Sequence, residues 1–148
     1  MAAKPIPERY HSLTPYLMAR EADRLIGFLK DAFGAQEFHR TTSPDGEIRH
    51  AELRIGDSML MLSGANARWP EMPCAVYLYV EDTDATYRRA LEAGGTSLME
   101  PADQFYGDRS AGVKDPCGNV WWIATHVEDV SAEEIARRAE AHAGPSND

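Results

Sequence analysis

Cysteine and long apolar runs are both scarce in this chain. Its 148 residues include two cysteines, Cys74 and Cys117, which are too few and too far apart in sequence for a disulfide framework or a metal-binding knuckle. No apolar stretch approaches the length of a membrane span, and no signal-peptide core is recognisable. A cytoplasmic location is the default expectation from these absences.

Basic residues are outnumbered by acidic ones, 15 against 24, which gives a formal net charge of −9. This charge disfavours nucleic acid and anionic membranes as partners and favours cationic ligands, although acidity also serves solubility. The chain also has no G-x-S-x-G elbow, no phosphate-binding glycine loop and no dinucleotide fingerprint. Its hydrophobic content of 43% and charged content of 26% are ordinary for one globular domain.

A pattern of strand, helix, glycine and further strands occurs twice, about sixty residues apart. Residues 13–18 precede a helical stretch that ends at Gly34, and residues 76–80 precede one that ends at Gly94. Each copy then has a turn followed by an apolar strand, at Gly56 and at Gly118. Because a solenoid needs at least three repeats, this two-fold repeat predicts two packed βαβββ modules.

The predicted fold class is therefore α+β: two tandem βαβββ modules with curved mixed sheets around a cavity and a helix on each outer face. The sequence predicts a single domain over residues 12–127, made of modules 12–63 and 74–127. Residues 128–148 are predicted to form a C-terminal helix and tail.

The C-terminal helix begins at a capping-box pattern, with Ser131 as the cap and Glu134 three residues later. Its apolar face is thin, which fits a contact with another surface or another subunit. The tail from Gly144 is predicted to be disordered.

Four segments of the chain point to a family: Leu13–Leu17, His50–Ser58, Tyr79–Ala85, and residues 102–109 continuing to 115–119. Across roughly residues 12–127 the chain resembles the vicinal-oxygen-chelate superfamily, and most of all its PhnB-like branch. That superfamily includes glyoxalase I, extradiol dioxygenases, fosfomycin-modifying enzymes and bleomycin-resistance proteins. The resemblance implies the fold predicted above, but one fold hosts many functions.

The resemblance also implies a homodimer, with a cavity built within one chain or across two. Enzymes of the superfamily hold a divalent metal with His, Gln or Glu side chains from four inward-facing strand positions. The equivalents here are Thr14, Met61, Ala75 and Trp122, none of which suits such an ion. A register shifted by one residue adds only Cys74, so the sequence predicts neither a metal nor another cofactor.

A displaced site is the alternative. His50, Glu52 and Arg54 alternate along one predicted strand and share a face, opposite Ala51, Leu53 and Ile55. With His39 on the adjacent strand, His50 and Glu52 have the chemistry for binding zinc or for acid–base catalysis. The alternatives are a polar, metal-free cavity and, favoured by the sequence, a wet sheet face on which Glu52 pairs with Arg49, Arg54 or another cation.

Aromatic residues dominate the predicted inward faces: Tyr16, Tyr77, Tyr79 and Trp122. Tyrosine hydroxyls need partners when buried. These rings therefore either line an amphipathic pocket for a planar or cationic organic ligand, held by stacking and cation–π contacts, or fill a core with their hydroxyls at the solvent. Trp121 faces the other way and is predicted to pack under a helix.

The segment from Asp103 to Arg109 is predicted to be a long loop of the kind that often carries binding residues. Tyr106 adds a ring there, and Arg109 either holds a ligand anion or pairs with Asp108 or Asp103. Trp69, in the linker between the modules, either caps the cavity or lies at a subunit interface.

The leading interpretation is a metal-independent small-molecule-binding protein of glyoxalase/bleomycin-resistance type, which holds an organic ligand in an aromatic cavity without chemical change. Its predicted ligand-binding residues are Tyr16, His50, Glu52, Tyr77, Tyr79, Tyr106, Arg109 and Trp122. One alternative is a lyase, isomerase or dioxygenase related to glyoxalase I, with a displaced metal near His50. The other is a degenerate relative with a structural or regulatory role.

Overall fold

The computed structural model describes residues 2–143, which form two curved four-stranded sheets and three helices. The N-terminal module contains β1 (Tyr16–Ala19), α1 (Ala22–Phe33), β2 (Gln36–Thr42), β3 (Ile48–Ile55) and β4 (Ser58–Gly64). The C-terminal module contains β5 (Ala75–Tyr79), α2 (Thr83–Glu92), β6 (Thr96–Asp103), β7 (Asp108–Lys114) and β8 (Val120–His126). The predicted α+β class and βαβββ repeat are confirmed.

Both sheets have the same strand order, with the first strand of each module at an edge. The first sheet runs β1-β4-β3-β2 and the second runs β5-β8-β7-β6. In each sheet the first strand pairs in parallel with the last strand of its module, and the other pairs are antiparallel. Tyr16 lies opposite Met61, and Tyr77 lies opposite Trp122. Equivalent cross-strand pairs of the two modules, between the first and the last strand of each, therefore carry aromatic side chains.

Helix α1 forms because its apolar residues recur at helical spacing and cover one side of the first sheet. Leu25, Ile26 and Leu29 are all buried there. The helix ends at Gly34, which has the left-handed φ of 67° that glycine adopts without strain. Its N–H donates to the Lys30 carbonyl at 3.0 Å, so the prediction that Gly34 ends the helix is confirmed.

The two modules meet through their helices. Helices α1 and α2 contact each other, and one continuous hydrophobic core runs from the first module to Ala90, Val113 and Ile123 of the second. Trp121 of β8 is 1% exposed, and its ring lies 4.9 Å from that of Phe33 in α1, centroid to centroid. The prediction that Trp121 packs under a helix is correct, and its ring also contacts the end of α1 in the other module.

This packing leaves the helix-free sides of both sheets open within one chain. Tyr16 is 47% exposed on the first sheet, and Tyr79 is 60% exposed on the second. The hollow that the sequence predicts between the two sheets is therefore not closed by a single chain, because buried contact between the modules is concentrated on their helical sides.

Helix α3 (Ala132–Ala143) follows the second module, and the predicted disordered tail from Gly144 lies outside the described residues. The backbone N–H of Glu134 donates to the Ser131 hydroxyl at 3.2 Å, which is one half of the predicted capping box, whereas the Glu134 carboxylate accepts from Arg137 and Arg138. Arg138 ties α3 to the turn before β7 by donating to the Phe105 carbonyl at 3.2 Å. Among the described residues, no helix has the length and apolarity needed to cross a lipid bilayer.

Candidate functional site

Two open sheet surfaces carry the sequence-predicted residues. We call the helix-free side of the first sheet the first face, formed by Tyr16, His50, Glu52 and Met61. We call the helix-free side of the second sheet the second face, formed by Tyr77, Tyr79, Asp108, Trp122 and His126. Strand alternation places these side chains, because alternate residues of a strand point to the same side of its sheet.

Strand β3 shows this alternation clearly. Ala51, Leu53 and Ile55 are buried on its helical side, whereas His50, Glu52 and Arg54 are half-buried on the first face. The prediction that these three polar residues share a face is confirmed.

On the first face, His50 is held by the edge strand. The Tyr16 hydroxyl lies 3.1 Å from Nδ1 of His50, and the two ring centroids lie 5.8 Å apart. His39 is opposite Glu52 on β2, as the displaced-site alternative requires, but its Nε2 lies 2.9 Å from the Thr41 hydroxyl. Within residues 2–143, no group of three or more His, Cys, Asp or Glu side chains is placed to hold a metal ion.

Glu52 has a partner that sequence reasoning missed. Its carboxylate accepts a hydrogen bond from the hydroxyl of Tyr10, which belongs to the segment before β1. Burial and the contact with Glu52 raise the pKa of Tyr10 above its ordinary range. Arg54, predicted as a partner of Glu52, instead donates to the Gln36 side chain at 2.8 Å.

On the second face, two tyrosines are anchored to one buried carboxylate. The hydroxyls of Tyr77 and Tyr79 both donate to Oδ2 of Asp108, at 2.7 Å and 2.9 Å. Asp108 is 4% exposed, and its Oδ1 lies 2.9 Å from Nδ1 of His126. The tyrosine rings, with centroids 5.3 Å apart, are thus held in a defined orientation while their faces stay accessible.

The charge of Asp108 organises the electrostatics of this face. Burial alone would raise the pKa of Asp108, but hydrogen bonds from His126, Tyr77 and Tyr79 bring it below its ordinary value. Hydrogen bonds to Asp108 and to Asp129, which lies 2.7 Å from Nε2, raise the pKa of His126. Burial and the hydrogen bonds to Asp108 raise the pKa of Tyr77. The cluster therefore favours an ionised carboxylate, neutral phenols and a protonated imidazole.

Trp122 lies flat on its own sheet beside these tyrosines. A Cβ atom on Gly112 of β7 would lie 2.5 Å from Cζ3 of Trp122, so the indole ring occupies the space that any other residue would fill. Gly112 lies opposite Trp122 in the sheet register. A glycine at this position thus allows the indole to cover the sheet rather than stand away from it.

The turn between β6 and β7 brings Tyr106 next to the second face. The Tyr106 hydroxyl lies near that of Tyr77 and contributes to its raised pKa. The rings of Phe105 and Tyr106 pack edge to face at 5.3 Å, and His142 of α3 lies 5.4 Å from Phe105. The predicted long loop is only this short turn, because β6 continues to Asp103.

Arg109 is held by carboxylates of its own chain. Its guanidinium donates to both oxygens of Asp84, at 2.7 Å and 2.9 Å, and to Asp103 at 3.2 Å. The predicted pairing with Asp103 is confirmed, the pairing with Asp108 is wrong, and Asp84 was missed. A ligand anion at Arg109, which stays a prediction, would compete with both carboxylates.

Two grooves border parts of these faces. One, of about 1120 Å³, runs past Tyr77, Tyr79 and His126 between the modules. The other, of about 1080 Å³, runs past Tyr16 to Trp69, which is 57% exposed. Of the predicted ligand-binding residues, Tyr77 and Tyr79 line the first of these grooves and Tyr16 lines the second, whereas the others line neither.

Each face has a cross-strand pair between the first and the last strand of its module: Tyr16 with Met61 and Tyr77 with Trp122. The side chains of these pairs do not fit the divalent metal that related enzymes hold. Neutral phenol, thioether and indole groups are poor donors for ions that prefer imidazole and carboxylate.

Asp108 and His126 were also missed, although alternation alone could have found them. His126 has the same parity on β8 as Trp122, and Asp108 lies directly opposite His126 at the start of β7. Extending the inward-facing pattern to the strand ends would have placed both on the second face. Tyr10 had no such signal, because no strand periodicity governs the segment before β1.

Comparison with known proteins agrees with this architecture. An uncharacterized protein of Mycobacterium bovis, Mb0911c, is 36% identical over 135 residues, which cover 84% of this chain and 89% of that protein. TioX from Micromonospora sp. ML1 has a similar fold with a TM-score of 0.67 at 24% identity, covering 79% of this chain and 99% of TioX. The PhnB protein from Bacillus cereus has a TM-score of 0.64 at 17% identity, covering 78% of this chain and 99% of its own.

A family model supplies the decisive match, because it spans most of the chain, from residue 10 to residue 123. The repeated βαβββ modules and the open, curved sheets are consistent with the fold of that family. The chain therefore belongs to the Glyoxalase/Bleomycin resistance protein/Dioxygenase superfamily.

Proposed function

We propose that this protein binds a planar organic molecule, preferably a cationic one, against its aromatic faces, without a metal and without making or breaking a covalent bond. The observation that supports this most is the anchoring of Tyr77 and Tyr79 to the buried Asp108. Rings fixed in advance lose little freedom when a ligand stacks on them, so more of the contact energy contributes to affinity.

The surroundings of the second face favour a positive charge on the ligand. Glu81 and Asp82 line the groove beside Tyr77 and Tyr79, and the whole chain has a formal net charge of −9. Asp108 and Asp129, one on each ring nitrogen, offset the positive charge of a protonated His126. A cation over an aromatic ring gains about 0.5–2 kcal/mol, depending on how far it is desolvated. Several such rings together give a useful affinity for a planar cation.

We further propose that the binding cavity is completed in a homodimer. The accessible surface of the chain is 9649 Å², whereas a compact monomer of this mass exposes about 7,500 Å². The exposed residues 2–9 and the two open faces both add to this excess. In the proposed dimer the first face, with Tyr16, His50 and Glu52, covers the second face of the other subunit, and the ligand lies between them.

Titration with the planar cation proflavine tests the proposal. Isothermal titration calorimetry should detect saturable binding to the wild type, and Trp122→Phe should weaken it several-fold because the wider indole face is lost. Gly27→Ala, in helix α1 on the helical side of the first sheet, where nothing lies within 4 Å of an added Cβ, is the control. Absence of saturable binding, or equal weakening by both variants, would contradict the proposal.

Sedimentation velocity of the same samples tests the dimer. We expect a dimer in the wild type and a shift toward monomer in Tyr79→Glu, because a carboxylate on the second face would be desolvated in the interface.

Stoichiometric zinc, iron, nickel or manganese in the purified protein, lost in His50→Ala, would instead favour the metal-dependent alternative.

A further inference from the structure

We infer that the N-terminal arm, residues 2–15, acts as an internal ligand of the first face, and that the first face accepts a hydroxyaromatic group in place of the Tyr10 side chain. This inference rests on the proposed binding function and names the chemical class for one half of the cavity. It would make the arm a competitor that an incoming ligand must displace.

The contact of Tyr10 with Glu52 shows what this face can recognise. The phenol hydroxyl donates to a carboxylate that is half-buried on β3, and a charged acceptor makes the hydrogen bond stronger than one between neutral groups. The raised pKa of Tyr10 agrees with this arrangement, since it keeps the phenol protonated as the donor. The first face thus already holds one aromatic alcohol.

The neighbours of Glu52 suit an aromatic ring. Met61 lies opposite Glu52 on β4, and Tyr16 lies opposite Met61 on β1. Thioether sulfur makes favourable contacts with aromatic rings, and Tyr16 offers a further ring beside it. A ligand whose hydroxyl is bound to Glu52 can therefore extend along this row, across β4, toward the edge strand β1.

Few contacts hold the arm itself. The guanidinium of Arg9 lies 4.4 Å from the centre of the Phe38 ring, while residues 2–9 are exposed, including Ile6 at 48%. Arg9 also has a φ of 74°, the only positive value at a non-glycine residue within residues 2–143. Because that conformation is disfavoured for residues with a Cβ, release of the arm would relieve local strain.

Chemical rescue provides the test. In full-length Tyr10→Ala, 4-methylphenol replaces the missing side chain, so we expect it to bind at least tenfold more tightly than to the wild type. Toluene, which has the ring without the hydroxyl, should show no such gain. Adding Glu52→Gln to Tyr10→Ala should remove the gain, whereas adding Glu8→Gln, on the exposed arm, should preserve it.

The outcomes separate this inference from the proposed function. Equal binding of 4-methylphenol to the wild type and to Tyr10→Ala, with proflavine binding intact, would overturn the internal-ligand inference alone. Absence of proflavine binding to the wild type would overturn both the proposed function and the inference that rests on it. Circular dichroism of each variant establishes that the fold is retained. Tyr10→Phe, which keeps the ring in place without its hydroxyl, should show a smaller gain in affinity for 4-methylphenol than Tyr10→Ala.

Discussion

Asp108 and His126 face each other across β7 and β8, with Oδ1 of the carboxylate 2.9 Å from Nδ1 of the imidazole. The carboxylate is buried, whereas Asp129, on the other imidazole nitrogen, is fully exposed. A buried charge interacts more strongly than a solvated one, since water screens the latter. Asp108 should therefore have the greater influence on the His126 pKa.

Asp108→Asn tests this influence. We expect the His126 pKa, followed by NMR, to fall toward its ordinary value of 6.5, and the free energy of unfolding to fall by about 1–3 kcal/mol as the tyrosine hydroxyls lose a charged acceptor. Asp129→Asn is the matched control and should produce a smaller shift. An equal shift in both variants would show that burial of Asp108 has no special effect.

The contribution of His126 to the stability of the protein should decrease as pH rises above the ordinary histidine pKa of 6.5. The pKa of His126 is raised in the folded state, so its stabilising effect is complete below the unfolded value near 6.5 and is lost as pH rises through the folded value. Urea unfolding from about pH 6 to about pH 9 should show this decline in the wild type, and His126→Gln should reduce it. An unchanged decline in His126→Gln would assign it to other groups.

The contact between Phe33 and Trp121 should couple the two modules energetically. Trp121 also donates from Nε1 to Oδ2 of Asp115 at 2.9 Å, so Trp121→Phe removes a buried hydrogen bond at a cost of about 1–3 kcal/mol. In a double-mutant cycle with Phe33→Leu, we expect a coupling energy of about 0.5–1.5 kcal/mol from urea unfolding. Phe38→Leu, on the opposite side of the first sheet, should give a coupling energy near zero with the same partner.

Local patterns in the sequence account for most of the fold. The glycine that ends α1 and the alternation of β3 both follow from backbone preferences that act over a few residues, and the structure confirms both. The packing of the two modules against each other does not follow from periodicity. It depends on contacts between side chains that are distant in sequence, such as Phe33 and Trp121, which lie 88 positions apart. Tyr10 reaches Glu52 across 42 positions for the same kind of reason.

The partners of Arg109 likewise do not follow from the sequence alone. Several acidic residues lie near it in sequence, and the nearest, Asp108, turns to the second face because adjacent residues of a strand point to opposite sides. Asp84 becomes the bidentate partner because α2 covers the other side of the sheet, 25 positions earlier in the chain. Strand alternation therefore excludes Asp108 as a partner of Arg109, and the packing of α2 on the sheet brings Asp84 to it.

Gly112→Ala provides a direct test of the aromatic second face. The new methyl group would lie within 2.5 Å of the Trp122 ring, so the indole must move, and overpacking of this kind costs about 1–3 kcal/mol of unfolding free energy. Gly27→Ala is the control, since nothing lies within 4 Å of a Cβ there and alanine in a helix interior stabilises by about 0.5–1 kcal/mol relative to glycine. Proflavine binding should weaken in Gly112→Ala and stay unchanged in Gly27→Ala. If binding survives the displacement of Trp122, the indole is not part of the surface on which the ligand stacks.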